Sequence, residues 1–421
     1  MDFIIEDVKA RQVLDSRGNP TIEVEVISGK ARGVAMAPSG ASKGREEAVE
    51  LRDGGREFHG KGVMKAVNNV RKIIAPAIIG MDVREQEEID RKMIEMDATP
   101  NKNVLGANAC IATSIACCKC AAAASEKEVY EYLNGKANLI PVPFMNVING
   151  GVHAGNELYI QEHLIAPVGA ENFAEAVRMG SEIYHTLRKK IEDKFGKTAI
   201  NVGDEGGFAP PISDSYDALD LIMEAIEENG YEEEVKLAID AAATSFYREG
   251  YYVMEKKRSS GEMVDYYIEM AEKYPLISIE DGFHEEDWDA FAELTAKIGD
   301  SVQILGDDIF VTNPKRLRRG IKGGVCNALL LKPNQIGTLS EAMEVAKICH
   351  ENGYSIMVSH RSGDTCDDFI ADLAVAINAG QIKSGAPCRG ERVAKYNRLM
   401  KIEEMMEKPE YAGKKWNKWG L

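Results

Sequence analysis

The chain has 421 residues, 44% of them hydrophobic, with a mean hydropathy of −0.27. That length supports two domains with substantial cores. The formal net charge of −17 argues against nucleic acid as a partner, no basic cluster being expected to break the acidic field.

The N-terminus lacks the basic start of a signal peptide, and no uninterrupted apolar run is read as long enough to span a bilayer. A cytoplasmic location with no membrane span is therefore expected. An anionic substrate would need local cations to hold it.

In chain order, residues 3 to 36 read mostly as strands. Asp15-Ser16-Arg17-Gly18-Asn19-Pro20 is a dense turn signal, and Thr21 to Val26 alternates with period two. The small residues Ala37 to Gly44 follow without periodicity. Alone they read as a mobile surface loop, with a functional lid as the alternative. Val63, Val67, Val70 and Ile74 keep helical spacing, and further helical patterns cover roughly 85 to 96 and 104 to 125. Strands followed by helices predict an α+β domain over residues 1–135, with Asn134-Gly135-Lys136 as the junction. Cys117-Cys118-Lys119-Cys120 formally contains a C-x-x-C, but it lies in an alanine-rich helical stretch with no second pair nearby in sequence. These cysteines read as small buried hydrophobes in a reducing compartment.

Residues 136–421 open on a glycine-rich loop around His153, where a lone histidine is more often incidental than functional. Gln161 and Glu162 lie in a strand pattern, and Glu205 sits in a glycine-rich turn. After that the chain repeats one design. Apolar runs end successively on Asp240, Glu280-Asp281, Asp307-Asp308, Lys332, His360-Arg361 and Lys383, at steps of 23 to 40 residues. That period is a strand, a helix and two loops, so the segment is expected to form a parallel sheet closed as a barrel, with the strand ends meeting at one mouth.

Asp240, Glu280 and Asp307 supply hard oxygen donors that suit Mg²⁺. For any one of them a helix N-cap is the competing explanation. Lys332 ends Leu329-Leu330-Leu331, a strand read as buried on both faces, so it must be paired, neutralised or chemically active. A metal together with Arg361 and Lys383 is expected to depress its pKa and make it a general base. Residue chemistry thus leads to metal-assisted proton abstraction next to a carboxylate.

At this point the sequence resembles the enolase family along essentially its whole length. The motifs include DSRGNPT (Asp15 to Thr21), SGASKG (Ser39 to Gly44), NGGVHAG (Asn149 to Gly155) and GDEGG (Gly203 to Gly207). They continue through SIED (Ser278 to Asp281), LLLKPNQIGTLSEA (Leu329 to Ala342), SHRS (Ser359 to Ser362) and QIKSGAP (Gln381 to Pro387).

The resemblance implies an α/β fold with an enolase-type, TIM-like β/α barrel behind the N-terminal α+β domain. It implies interconversion of 2-phosphoglycerate and phosphoenolpyruvate plus water in glycolysis and gluconeogenesis. Asp240, Glu280 and Asp307 would hold one Mg²⁺, and Ser39 a second that arrives with substrate as its loop closes. Lys332 would be the base and Glu205 the general acid, with Glu162 sharing the proton work and one carboxyl of that pair held protonated. Lys383 would bind the substrate carboxylate, Arg361 and Ser362 the phosphate, while His153, Gln161 and His360 complete the pocket. A homo-oligomer, dimer or octamer, is expected by the same resemblance.

Departures from the family pattern fall at Lys43, Thr244-Ser245, Phe283-His284 and Pro333, none of them on a residue given a chemical role. The C-terminus, Trp419-Gly420-Leu421, lacks the terminal lysine that some members use to bind plasminogen. Another enzyme of the superfamily would not need the Ser39 loop, Glu205 and the Lys332-Asn334-Gln335 signature together. A non-enzymatic scaffold would show erosion at these positions.

Overall fold

The period-two alternation of the first forty residues builds an antiparallel sheet of Asp7–Leu14, Pro20–Ser28 and Ala31–Met36, the middle strand being Pro20–Ser28. Ile22, Val24 and Val26 are fully buried on its inner side, where the helix Ala107–Ala124 packs. Contact there is close enough that a Cβ on Gly33 would lie 2.0 Å from the Ala116 carbonyl oxygen. The structure is a computed structural model and describes residues 3–40 and 44–413. The loop residues 41–43, Lys43 included, and the C-terminal Trp419-Gly420-Leu421 lie outside the described residues.

Helix Ala107–Ala124 is long and apolar enough to cross a membrane by length and composition, although Asn108 and Lys119 interrupt its apolar run. Yet 89% of it is buried inside the protein, so it is a core helix. Its alanines, cysteines, serine and threonine are small because the sheet lies against one side and other helices against the rest. Cys110, Cys117, Cys118 and Cys120 are buried free thiols, and burial raises all four pKa values.

Eight strands close the second barrel-forming half. In ring order they are Leu276–Glu280, Gln303–Gly306, Ala328–Leu331, Ser355–Ser359, Gly380–Lys383, Val142–Asn149, Glu162–Ala166 and Lys236–Asp240. Leu329, Leu330 and Leu331 are fully buried, as expected for a strand covered on both faces. The sheet is not wholly parallel, however. Glu162–Ala166 runs antiparallel to both its neighbours. The connection from Asn149 to Glu162 holds only a short 3₁₀ turn, Gly151–His153, and without a crossover helix the chain returns beside the strand it just left. The reversal puts the start of that strand at the mouth, with Glu162 paired in register to Asp240 on one side and Asn149 on the other.

One correction concerns charge. Helix Pro314–Gly323 carries Lys315, Arg316, Arg318, Arg319 and Lys322 with no acidic residue, so a basic cluster does break the acidic field. Part of it is used locally, Arg316 pairing with Glu286 at 3.0 Å and the Arg319 guanidinium lying 3.9 Å from the Trp288 ring centroid. Net charge therefore does not by itself exclude an anionic partner on that face.

Candidate active site

The barrel mouth gathers residues from nearly every strand end. A cavity of about 30 Å³ is lined by Gly40, Glu47, His153, Gln161, Glu162, Glu205, Asp240, Asp281, Asp307, Asp308, Lys332, His360, Arg361, Ser362 and Lys383, among others. Lys332 and Glu162 come from strands four places apart in the ring of eight, so they face each other across the mouth.

One side of the cavity is ion-paired throughout. Lys383 Nζ donates to both carboxylate oxygens of Glu280 at 2.8 Å, to Asp240 Oδ2 at 3.1 Å and to Glu162 Oε1 at 3.3 Å. Lys332 Nζ donates to Asp307, whose other oxygen accepts from Gln335 Nε2 at 2.8 Å. Burial pushes the Lys332 ammonium down, but Asp307 outweighs it and the pKa stands above its ordinary value. The depressed lysine expected from the sequence is therefore not found with protein groups alone. Lys383 is likewise held well above the lysine range by Asp240, Glu162 and Glu280 against the effect of burial.

The other side is built differently. His153 Nδ1 lies 3.8 Å from Glu162 and 3.7 Å from Glu205, and His360 Nε2 lies 3.3 Å from Glu205 Oε2. Burial and the neighbouring Glu205 charge lift Glu162 well above the carboxylate range. Burial also pushes Glu205 up, but His360, His153 and Arg392 prevail and hold it well below. The two carboxyls are thus pushed in opposite directions, Glu162 toward the protonated form and Glu205 toward the carboxylate. Burial lowers His153 and takes His360 down to about 4, which favours the neutral imidazole at both.

Arg361 is engaged by the N-terminal domain. Its guanidinium makes a bidentate pair with Glu47 at 3.0 to 3.1 Å and donates to Asn334 Oδ1 at 3.2 Å. Ser362 lines the same cavity. Gln161 Nε2 reaches Asp240 Oδ2 at 3.5 Å.

Ser39 does not join them. Its backbone bridges Gly363, and its hydroxyl lies 3.1 Å from Glu50 and 3.2 Å from Arg52. The other hydroxyl of the SGASKG motif, Ser42, lies outside the described residues.

Two family models match the chain, "Enolase, N-terminal domain" over residues 5–133 and "Enolase, C-terminal TIM barrel domain" over residues 137–419. The enolase of Methanocaldococcus jannaschii is 57% identical over 415 residues, covering 98% of each chain. That of Thermococcus gammatolerans is 57% identical over 411 residues, covering 96% of each. That of Pyrococcus furiosus is 56% identical over 423 residues, covering 99% of this chain and 98% of its own. The chain belongs to the enolase family.

It is accordingly a hydro-lyase, interconverting 2-phosphoglycerate and phosphoenolpyruvate in glycolysis, with a small-molecule substrate. The enolase family also implies a metal cofactor, and the donor set fits one. The carboxylates lining the cavity outnumber Lys332, Arg361 and Lys383, and such an excess of buried negative charge needs a cation. Ligand oxygens of Asp281, Asp307 and Asp308 all lie within 4.8 Å of one another, as do ligand atoms of His153, Glu162 and Glu205. Of the triplet expected from the sequence, Asp240 and Glu280 share Lys383, while Asp307 pairs with Lys332 and stands with Asp281 and Asp308.

Sequence reasoning missed Asp281, Asp308, Glu47 and Arg392. Asp281 and Asp308 each follow an expected ligand directly, and that adjacency was the available signal. Asp281 accepts from the backbone amides of Asp307 and Asp308 at 2.8 Å each, which ties two strand ends together.

Proposed function

We propose that Lys332 removes the proton from the carbon next to the carboxylate of 2-phosphoglycerate, and that Glu205 and Glu162 deliver a proton to the departing 3-hydroxyl. The observation that carries this reading is the placement of Lys332 and Glu162 four strands apart in a ring of eight, with Glu205 within 4.8 Å of Glu162. Base and acid then meet opposite ends of the bond that becomes double. The proton held on Glu162 supplies the leaving hydroxyl, with Glu205 as the group that passes it on and His153 and His360 as neutral imidazoles beside it. Lys383 binds the substrate carboxylate, and Gln161 lines that end of the pocket. Arg361 and Ser362 bind the phosphate, whose dianion takes the guanidinium contacts now made by Glu47.

Asp240, Glu280 and Asp307, with Asp281 and Asp308 adjoining, would hold Mg²⁺, two ions per site with the second arriving with substrate. Bound there, Mg²⁺ would stabilise the negative charge that builds on the substrate carboxylate and draw Asp307 away from Lys332, lowering its pKa. With Ser39 committed to Glu50 and Arg52, Ser42 is the hydroxyl we assign to the second ion. A cytoplasmic homo-oligomer, with a domain junction near residue 135, completes the reading.

The test is ultraviolet absorbance of phosphoenolpyruvate forming from 2-phosphoglycerate, with Mg²⁺ and again with EDTA, alongside solvent-deuterium exchange at the substrate C2. Formation that stops on chelation, with exchange in the presence of metal, is expected. Formation that continues in EDTA would overturn the metal assignment.

A further inference from the structure

Arg392 has the largest side chain among the fully buried residues and sits in the first turn of helix Gly390–Met405. A guanidinium can only donate, and this one has four acceptors. Nη1 donates to His360 Nδ1 at 2.6 Å and to the Arg361 carbonyl at 2.5 Å. Nη2 donates to the Ser362 carbonyl at 2.6 Å and to the Asp204 carbonyl at 3.0 Å. Glu391 Oε1 lies 3.3 Å from Nε.

Its path is kept open by Gly385, which has φ +75°. A Cβ there would lie 2.9 Å from Arg392 Cδ and 2.6 Å from the Glu205 carbonyl oxygen. One side chain therefore touches the segment carrying Glu205 and the segment carrying His360, Arg361 and Ser362.

The contact with His360 has a chemical consequence. Because Arg392 can only donate, Nδ1 must accept, and a neutral imidazole then carries its proton on Nε2. That nitrogen is the one 3.3 Å from Glu205. We propose that Arg392 is a positioning residue for the dehydration half-reaction, fixing His360 as the Nε2-protonated tautomer aimed at Glu205 while clamping the Glu205 and Arg361–Ser362 segments in register. The proposal rests on the reading of Glu205 as the group that protonates the leaving hydroxyl.

The first test uses the Mg²⁺-loaded wild-type enzyme with ¹⁵N-labelled histidine, His360 being assigned by comparison with His360→Asn. Long-range ¹H–¹⁵N spectra at pH 7 should show His360 with a bare Nδ1 and a protonated Nε2. A proton on Nδ1, or an imidazolium, would overturn the proposal, and this readout needs no Arg392 variant to fold.

The second test compares Arg392→Lys and Arg392→Ala with wild type. Outer partners of functional groups cost about 10- to 100-fold in activity when removed, and that loss should fall on kcat with KM nearly unchanged. Exchange of the C2 proton should persist, and guanidinium ion should restore part of the loss in Arg392→Ala. Equal loss of exchange and dehydration in a folded variant would reduce Arg392 to a structural role. If Glu205→Gln dehydrates normally, the reading of Glu205 fails, while the tautomer measurement still reports on Arg392.

Discussion

The two sides of the cavity spend their hydrogen-bonding capacity in opposite ways. On the lysine side, Lys332 and Lys383 are satisfied by four carboxylates, and both ammonium groups are held charged. On the imidazole side, His153 Nδ1 and His360 Nε2 are buried 3.3 to 3.8 Å from carboxylates, with no hydrogen bond of good geometry among the described residues. A buried polar atom left in this way costs free energy. That cost is tolerated where a substrate must later supply the partners. The paired side has to be unlocked before it acts, and the unpaired side has to be filled.

The sharpest way to break this comparison is to remove one actor from each side. Lys332→Ala should lower turnover on the order of 10⁴-fold and abolish C2 proton exchange, since the base is lost. Persistent exchange would take Lys332 out of the base role. Glu205→Gln should cost on the order of 10²–10³-fold in phosphoenolpyruvate formation yet keep the exchange. Loss of both together would mean that the two sides do not divide the reaction.

Acid should weaken the protein through its buried imidazoles. His360 and His163 both have pKa values near 4, chiefly through burial, against about 6.5 in an unfolded chain. A histidine depressed in this way leaves stability intact above pH 6.5 and loses it progressively as pH falls to 4. Each group should contribute a loss of about 2 kcal/mol between pH 7 and pH 5. His163 stands on the same reversed strand as Glu162 and lines no part of the cavity. His163→Leu should therefore remove its share of the loss, measured by urea unfolding at both pH values, and leave turnover alone. An unchanged pH dependence would show that His163 is not buried as a neutral group.

The smallest effect is expected at Ser39. Ser39→Ala should cost about 1 kcal/mol of stability through its lost hydrogen bonds and leave the Mg²⁺ dependence of turnover unchanged. Ser42→Ala should raise the Mg²⁺ needed for half-maximal rate. The reverse pattern would return Ser39 to the metal.

Asp240, Glu280, Lys332 and Lys383 were legible because each ends a buried strand, where a charged residue has few alternatives to function. Strand direction was not legible at Glu162. Apolar composition does not encode whether a connection crosses over or doubles back, and the absence of a helix between Asn149 and Glu162 decides it. Glu47 was given no role because its partner Arg361 is 314 residues away, a separation that only the domain contact closes. Arg392 was missed for a different reason. An arginine on a helix ordinarily reads as solvated, and nothing local says that this one is fully buried. Ser39 shows the limit of motif matching, since SGASKG contains two hydroxyls and the motif alone does not say which one serves the site.

The reversed strand has one more consequence. Six connections at the mouth lead from a barrel strand toward the helices that wrap it, but the segment between Asn149 and Glu162 is slung from strand to strand. Its length and composition are thus free of the outer layer. Residues added near the exposed Val152 would alter the rim of the pocket without asking any helix to repack, which makes this arch the place where relatives can diverge in substrate access at the least structural cost.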